Sequence, residues 1–375
     1  MAAVPPISGQ AEPKCDHRQK LARMVLENQW YEQSDTKQSD GFFKDLPASS
    51  KPKIARFPRM YYRRENGLLH ITAEITLGKF QEPLLHLENK LESGLYCELV
   101  SRELLDGFVE YTLLYDMISN RIPISEVCVE HGKMRLMQNT YWEFDSLPHM
   151  LIAGGTGGGK TYFILTLIRA LLKTSAVLYI LDPKNADLAD LSTVLPNVCS
   201  RKEEIVQCIT DFCTAMHERS ADMKRMEGYK TGENYAYLGL STHFLVFDEY
   251  VAFMEMLTSR EREDVLNKLR QIVMLGRQAG FFLILACQRP DAKYLGDGIR
   301  DQFNFRVALG RMSELGYSMM FGETKKEFFF KNIKGRGYAD TGKGVITEFI
   351  LRSCRKGTTF CRRLGGVQNN YVATM

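Results

Sequence analysis

The chain has 375 residues, 45% hydrophobic and 25% charged, a globular composition long enough for two domains, or for one large α/β domain with an accessory piece. Its 49 basic and 45 acidic side chains leave a formal charge of +4, compatible with a nucleic-acid partner but no argument for one. Nine scattered cysteines without a Cys-x-x-Cys pair argue against a disulfide framework or a zinc ribbon and for reduced thiols.

Residues 1–53 hold little pattern. "MAAVPPISGQAEPKCDHRQK" has no signal-peptide core, and residues 1–19 read as disordered. "LARMVLENQWY", Leu21 to Tyr31, fits a short amphipathic helix with Leu21, Met24, Val25 and Asn28 on one stripe. "EQSDTKQSDG" reads as a polar linker.

Residues 54–145 read as a smaller β-rich α+β domain. "LLHITAEIT" alternates, with Leu69, Ile71, Ala73 and Ile75 on one face, which predicts a half-buried strand. Asn66-Gly67 signals a hairpin joining it to "RMYYRRE". "EPLLHLENKLES" predicts one helix with Pro83 in its first turn, and "CELV" and "FVEYTLLYDM" predict further strands.

From residue 146 to 350 short apolar runs alternate with helical stretches. "HMLIAG", "AVLYILD", "HFLVFDE" and "FFLILACQ" each end at a glycine or polar residue, with helices expected over Lys202 to Met226 and Arg262 to Gln278. Continuously apolar strands imply burial on both faces, hence a mostly parallel sheet covered by helices, with ligands outside the carboxyl ends of the strands. Residues 351–375, basic and weakly patterned, read as a disordered tail. No apolar run approaches the ~20 residues of a membrane helix, so the chain is expected to have no membrane span of its own and to be cytoplasmic.

"GGTGGGKT" has the P-loop spacing, Gly154-x-x-x-x-Gly159-Lys160-Thr161, between an apolar strand and a helix. Gly154, Gly155, Thr156, Gly157, Gly158 and Gly159 would let the backbone wrap ATP phosphates, with a helix N-terminus behind it. Lys160 would reach the β- and γ-phosphates, and the Thr161 hydroxyl would ligate Mg²⁺. In "HFLVFDEY", Asp248 reads as the second Mg²⁺ ligand and Glu249 as the general base for the attacking water. Gln288, at the end of "FFLILACQ", is either a γ-phosphate sensor or a surface amide. Arg277 in "LGRQAGF" is either a dipole-compensating surface charge or an arginine finger for a neighbour's ATP.

Together "PHMLIAGGTGGGKT", "LYILDPKNADL", "HFLVFDEY" and "GRQAGFFLILACQRPD" resemble the motor domain of the FtsK/SpoIIIE family, over about residues 130–350. These are RecA-like ring ATPases that translocate double-stranded DNA. "GFFKDLP", "PRMYYRRENGL" and "LLHLENKLESGLYCEL" are similar to coupling proteins of Gram-positive integrative conjugative elements. The resemblance implies a RecA-like P-loop NTPase fold and an ATP-dependent DNA translocase that binds DNA non-specifically during conjugative transfer. It also implies a homo-hexamer with ATP sites between subunits, and Arg277 as the arginine acting in trans, with Arg289 and Arg306 behind it. Gln288 becomes a sensor, while Asp182 and Lys184 match the family's Asp-Pro-Lys without a role of their own. Lys224, Arg225, Lys230 and Arg300 become the candidate DNA contacts, against the alternative of a solvated charged face. Conjugation or secretion channel proteins are the implied partners, placing the chain peripherally at the inner face of the cell membrane.

The sequence departs from relatives with N-terminal membrane helices and from those with a C-terminal winged helix, so a truncated or divergent member is one expectation. Two other functions stay open: a ring ATPase driving proteins through a secretion system, and a non-hydrolysing nucleotide-binding adaptor.

Overall fold

The computed structural model describes residues 16–34, 53–65, 67–115, 120–155, 157–291, 293–324, 326–328, 335–342 and 344–350. Asn66 of the hairpin signal, Thr156 of the glycine loop, "GFFKDLP" and the tail after Ile350 lie outside them. The chain divides into two compact units, Met1–Asp116 and Met117–Met375.

In the first unit, α1 (Asp16–Glu27) starts earlier than its apolar stripe suggests and ends before Tyr31. The Asn28 side chain turns back to the Met24 carbonyl at 2.7 Å, and Gln29 takes a positive φ of 54°, a combination that competes with helix continuation. A short pair, β1 (Glu32–Ser34) and β2 (Lys53–Arg56), follows. Then come β3 (Met60–Glu65), β4 (Leu68–Glu74), α2 (Gln81–Leu85), α3 (Glu88–Leu95), β5 (Glu98–Leu105) and β6 (Phe108–Leu114). The four longer strands form an antiparallel sheet in the order β3-β4-β6-β5. Leu69, Ile71 and Ala73 are fully buried, as the alternation in β4 requires. The single helix expected over residues 82–93 is instead two. The Tyr111 hydroxyl donates to the Leu84 carbonyl at 2.7 Å and accepts from the Leu87 amide at 3.3 Å, pinning the break to the sheet.

The second unit opens with an antiparallel three-stranded sheet, β7 (Cys128–Glu130), β8 (Lys133–Met137) and β9 (Thr140–Glu143). Sequence patterning puts these strands with the preceding β-rich stretch and ends that domain at residue 145. Trp142 of β9 and Phe144 just after it join the later core instead: Phe144 meets Phe244 at 5.4 Å and Phe282 at 5.3 Å, and Trp142 meets Phe244 at 6.0 Å.

The main sheet is built from β10 (Met150–Gly154), β11 (Val177–Leu181), β12 (Val198–Cys199), β13 (His243–Phe247), β14 (Phe281–Cys287), β15 (Phe305–Leu309), β16 (Arg336–Asp340) and β17 (Ile346–Ile350). Their spatial order is β12-β11-β13-β14-β10-β15-β16-β17. The first six in that order run parallel; β16 and β17 add an antiparallel edge. β10 and β14 are buried along their whole length, which requires cover on both faces. The helices are α4 (Lys160–Leu171), α5 (Lys202–Met223), α6 (Tyr250–Met256), α7 (Ser259–Ala279), α8 (Asp297–Arg300) and α9 (Glu314–Phe321). α4 is apolar nearly all round and buried, whereas α7 buries one stripe through Val265, Leu269, Ile272 and Val273. No helix among the described residues is long and apolar enough to cross a membrane.

Candidate active site

Parallel order puts the carboxyl ends of β10, β11, β13 and β14 along one edge, with β14 between β10 and β13. The glycine loop leaves β10 there and enters α4. Its close packing explains the residue type. A Cβ on Gly154 or Gly158 would lie 2.8 Å from the Leu309 carbonyl oxygen of β15, inside any tolerable contact. Gly159, the residue before α4, has φ 101°, which side chains rarely adopt. Gly310 and Gly335 back this loop: a Cβ on Gly310 would lie 3.0 Å from Gly158, and one on Gly159 would lie 3.4 Å from Gly335. Sequence reading missed both; the glycine directly after the apolar run of β15 is the signal that could have found Gly310.

Lys160, the first residue of α4, is buried and meets both acids that follow β13. Its Nζ is 2.6 Å from Glu249 Oε1 and 3.2 Å from Asp248 Oδ1. Burial works against its ammonium, but the Asp248 charge and the Glu249 hydrogen bond outweigh it and hold the Lys160 pKa above the ordinary lysine value. Burial pushes the Asp248 carboxyl up despite the Lys160 charge. Burial would also raise Glu249, but hydrogen bonds from Lys160 and Lys184 prevail and bring it below the ordinary carboxylate value. Glu249 itself stands at φ 48°, an uncommon conformation for a non-glycine residue and one that clusters at functional sites.

Lys184 closes this cluster, its Nζ 2.9 Å from Glu249 Oε2. Asp182 acts on the backbone instead: buried at the end of β11, it accepts from the amides of Lys184 (3.2 Å), Ala186 (2.9 Å) and Ala189 (3.1 Å). Sequence carried both residues as a motif without a role; the three-amide cage depends on a loop conformation that spacing does not reveal.

The arrangement suits a nucleotide triphosphate with a divalent cation. The loop lets backbone approach closely, and Lys160 offers a buried ammonium. Asp248 Oδ1 takes Lys160 and the Glu249 amide, while Oδ2 takes no donor among the described residues. Asp248, with Thr161 next to Lys160, could therefore hold Mg²⁺, a hard cation that prefers oxygen ligands.

Other candidates lie outside this cluster. Gln288 is exposed one residue beyond Cys287, the register partner of Ala153 on β10, so it leaves the sheet between the glycine loop and the acids. Arg289 is exposed beside it, with Nε 3.2 Å from Met319 Sδ. Arg277 is exposed at the end of α7, before β14 begins, and so at the opposite, amino edge of the sheet. Arg306 donates to the carbonyls of Phe303, Met320 and Arg300 at 2.8–3.2 Å, a local scaffold role that leaves it poorly suited as a reserve finger. Lys224 follows α5, Arg225 pairs with Asp222 at 3.6 Å, and Lys230 lies 4.9 Å from the Tyr237 ring. All three precede β13 and share the amino edge. Arg300 ends α8, its carbonyl held by Arg306.

Sheet order, glycine loop and facing acids define a RecA-like P-loop NTPase with an antiparallel edge. The family model for the FtsK/SpoIIIE family matches residues 121–243. The "Ftsk domain-containing protein YdcQ" of Bacillus subtilis (strain 168) is 52% identical over 345 residues, 92% of this chain and 72% of that protein. The chain belongs to the FtsK/SpoIIIE family, a P-loop ATPase family. The "DNA translocase FtsK" of Lactiplantibacillus plantarum is 31% identical over 184 residues, 44% of this chain and only 23% of that protein. Among solved structures, the monomer of the pCW3 conjugation coupling protein TcpA with ATPγS has a TM-score of 0.53 at 20% identity, covering 78% of this chain and 88% of that one. EssC (ATPases 2 and 3) from Geobacillus thermodenitrificans has a TM-score of 0.51 at 14% identity, covering 66% of this chain and 51% of that one. At these identities both bear on the fold alone.

Proposed function

We propose that this protein hydrolyses ATP to move DNA, as a coupling ATPase in the conjugative transfer of a mobile element. The observation that carries the hydrolytic part is the meeting of Lys160 with Asp248 and Glu249 at 3.2 and 2.6 Å. An inert nucleotide-binding adaptor has no need of a buried lysine facing two acids. Family membership and the likeness to relatives described as DNA translocases support DNA as the moved polymer. The solved neighbour described as a conjugation coupling protein agrees with the transfer setting.

In this reading the loop amides from Gly157 to Lys160 hold the phosphates, and the Lys160 ammonium turns from the acids to the β- and γ-phosphate oxygens. Glu249 then takes a proton from the water that attacks the γ-phosphorus, while the bond to the ADP oxygen breaks. Asp248 and Thr161 would hold Mg²⁺, which supplies Lewis-acid neutralisation of phosphate charge. Gln288 senses the γ-phosphate. In a hexamer Arg277 serves the site of an adjacent subunit, and Lys224, Arg225, Lys230 and Arg300 touch DNA phosphates.

ATP turnover measured with duplex and with single-stranded DNA tests this directly. Duplex is expected to accelerate turnover, with binding that weakens steeply with salt. Removing Lys224 and Arg225 together is expected to reduce the log–log salt slope by roughly 2. Turnover indifferent to either nucleic acid at low salt would refute the DNA role.

A further inference from the structure

We infer that Lys184 is the positioning residue for Glu249, the partner that keeps the general base aimed once nucleotide has drawn Lys160 away. This rests on the hydrolytic reading above and assigns a role to a residue outside the glycine loop and the acidic strand end.

The Glu249 carboxylate is divided between two lysines, Oε1 with Lys160 at 2.6 Å and Oε2 with Lys184 at 2.9 Å. The two partners have different obligations. Lys160 sits at the start of α4 behind the glycine loop, where an entering polyphosphate competes for its ammonium with up to four negative charges. Lys184 stands on the neighbouring loop after β11, anchored through its own backbone amide to the buried Asp182. Asp182 also holds the amides of Ala186 and Ala189, so the loop that carries Lys184 keeps its shape without the lysine side chain.

Once Lys160 moves to phosphate, Oε1 is released on the side the phosphates enter, and Oε2 stays fixed by Lys184. The freed oxygen faces the space the ammonium has left, where an attacking water can be met. A base oriented by a third group is the recurring arrangement in activated nucleophile sites. Without Lys184 the carboxylate would follow Lys160 or rotate toward solvent, and the αL backbone at Glu249 would be the only remaining restraint. Asp182, for its part, positions Lys184 and never meets the carboxylate.

The test uses the full chain as a ring, with Lys184→Met, which keeps the stem and removes the charge, and Lys184→Arg, which keeps the charge. Lys184→Met is expected to lower kcat by about 10- to 100-fold, part of the ~10²–10⁴ that a general base supplies. Affinity for a non-hydrolysable ATP analogue should change by no more than about twofold. Lys184→Arg should recover most of the rate, and Glu249→Gln/Lys184→Met should be no slower than Glu249→Gln alone. The inference is overturned if Lys184→Met turns over like the wild type. It is also overturned if analogue affinity falls along with kcat, or if the losses multiply in the double variant. A wild-type ring that binds ATP without turnover removes the hydrolytic reading itself, whereas an active wild type matched by Lys184→Met removes only this one.

Discussion

The two edges of the main sheet use titratable residues differently. At the carboxyl edge Lys160, Asp248, Glu249 and Lys184 lie within ion-pair distance of one another in a chain of contacts. At the amino edge two imidazoles, one buried and one half-buried, are held neutral. His149, before β10, accepts from the Leu283 amide through Nδ1 and donates through Nε2 to the Val273 carbonyl, both at 3.0 Å. Complete burial brings its pKa down to about 3. His243, which opens β13, is brought down to about 4 by burial and by the Arg219 charge beside it. One edge keeps buried charges that an anionic guest can rearrange; at the other, His149 and His243 are neutral imidazoles in fixed hydrogen bonds, His243 with Arg219 at 2.7 Å. A site and a structural joint made from titratable residues differ in that respect, even on a single sheet.

The sharpest challenge to this division is Arg277, an exposed charge at the amino edge that is proposed to act at the ATP site of another subunit. Arg277→Ala should lower turnover by about 10³, the scale of an arginine finger, while leaving nucleotide affinity in place. Mixed rings of Arg277→Ala and Lys160→Ala should regain part of the rate, because each supplies what the other lacks. Full activity of Arg277→Ala alone would confine the chemistry to the carboxyl edge.

A smaller effect separates packing from charge at the carboxyl edge. Gly158→Ala puts a Cβ 2.8 Å from the Leu309 carbonyl, whereas a Cβ on Gly155 meets nothing within 4 Å. Gly158→Ala should therefore weaken nucleotide binding by about 1–3 kcal/mol, the usual range for overpacking, with Gly155→Ala much milder. Titration calorimetry that finds the two equal would remove the packing account of the loop.

The gentlest test falls on the amino edge. The folded pKa values of His149 and His243 lie below the ordinary 6.5, so the unfolded chain binds the extra protons. Stability from these residues is then complete above pH 6.5 and is lost as pH falls toward about 4 and about 3. The slope is about 1.4 kcal/mol per pH unit for each imidazole while it titrates in the unfolded chain alone. Denaturant titrations above and below pH 6.5 check this, and stability that stays flat across that range would show the imidazoles are not held neutral.

Legibility in sequence followed the same division. The strands β10, β11, β13 and β14 were readable because doubly covered parallel strands are written as unbroken apolar runs, and their ends carry the glycine, aspartate and glutamate that face one another. Nothing local marks the amino edge, since His149 depends on Val273 and Leu283, both more than a hundred residues away in sequence. The same holds for the break between α2 and α3, made by the Tyr111 hydroxyl of β6, and for Trp142 of β9 and Phe144 after it, which fall inside the β-rich stretch by sequence but belong to the core of the second unit. Lys184 was visible as part of Asp-Pro-Lys; its contact with Glu249 needed the pairing of β11 beside β13.

The acids after β13 and the loop after β10 are proposed to form one hydrolytic site. Single-turnover hydrolysis by Glu249→Gln with Mg²⁺ and saturating ATP tests it most directly. Nucleotide should bind as tightly as to the wild type, with the hydrolysis step slower by at least about 10²; a step at the wild-type rate would rule out Glu249 as the base and the shared site with it.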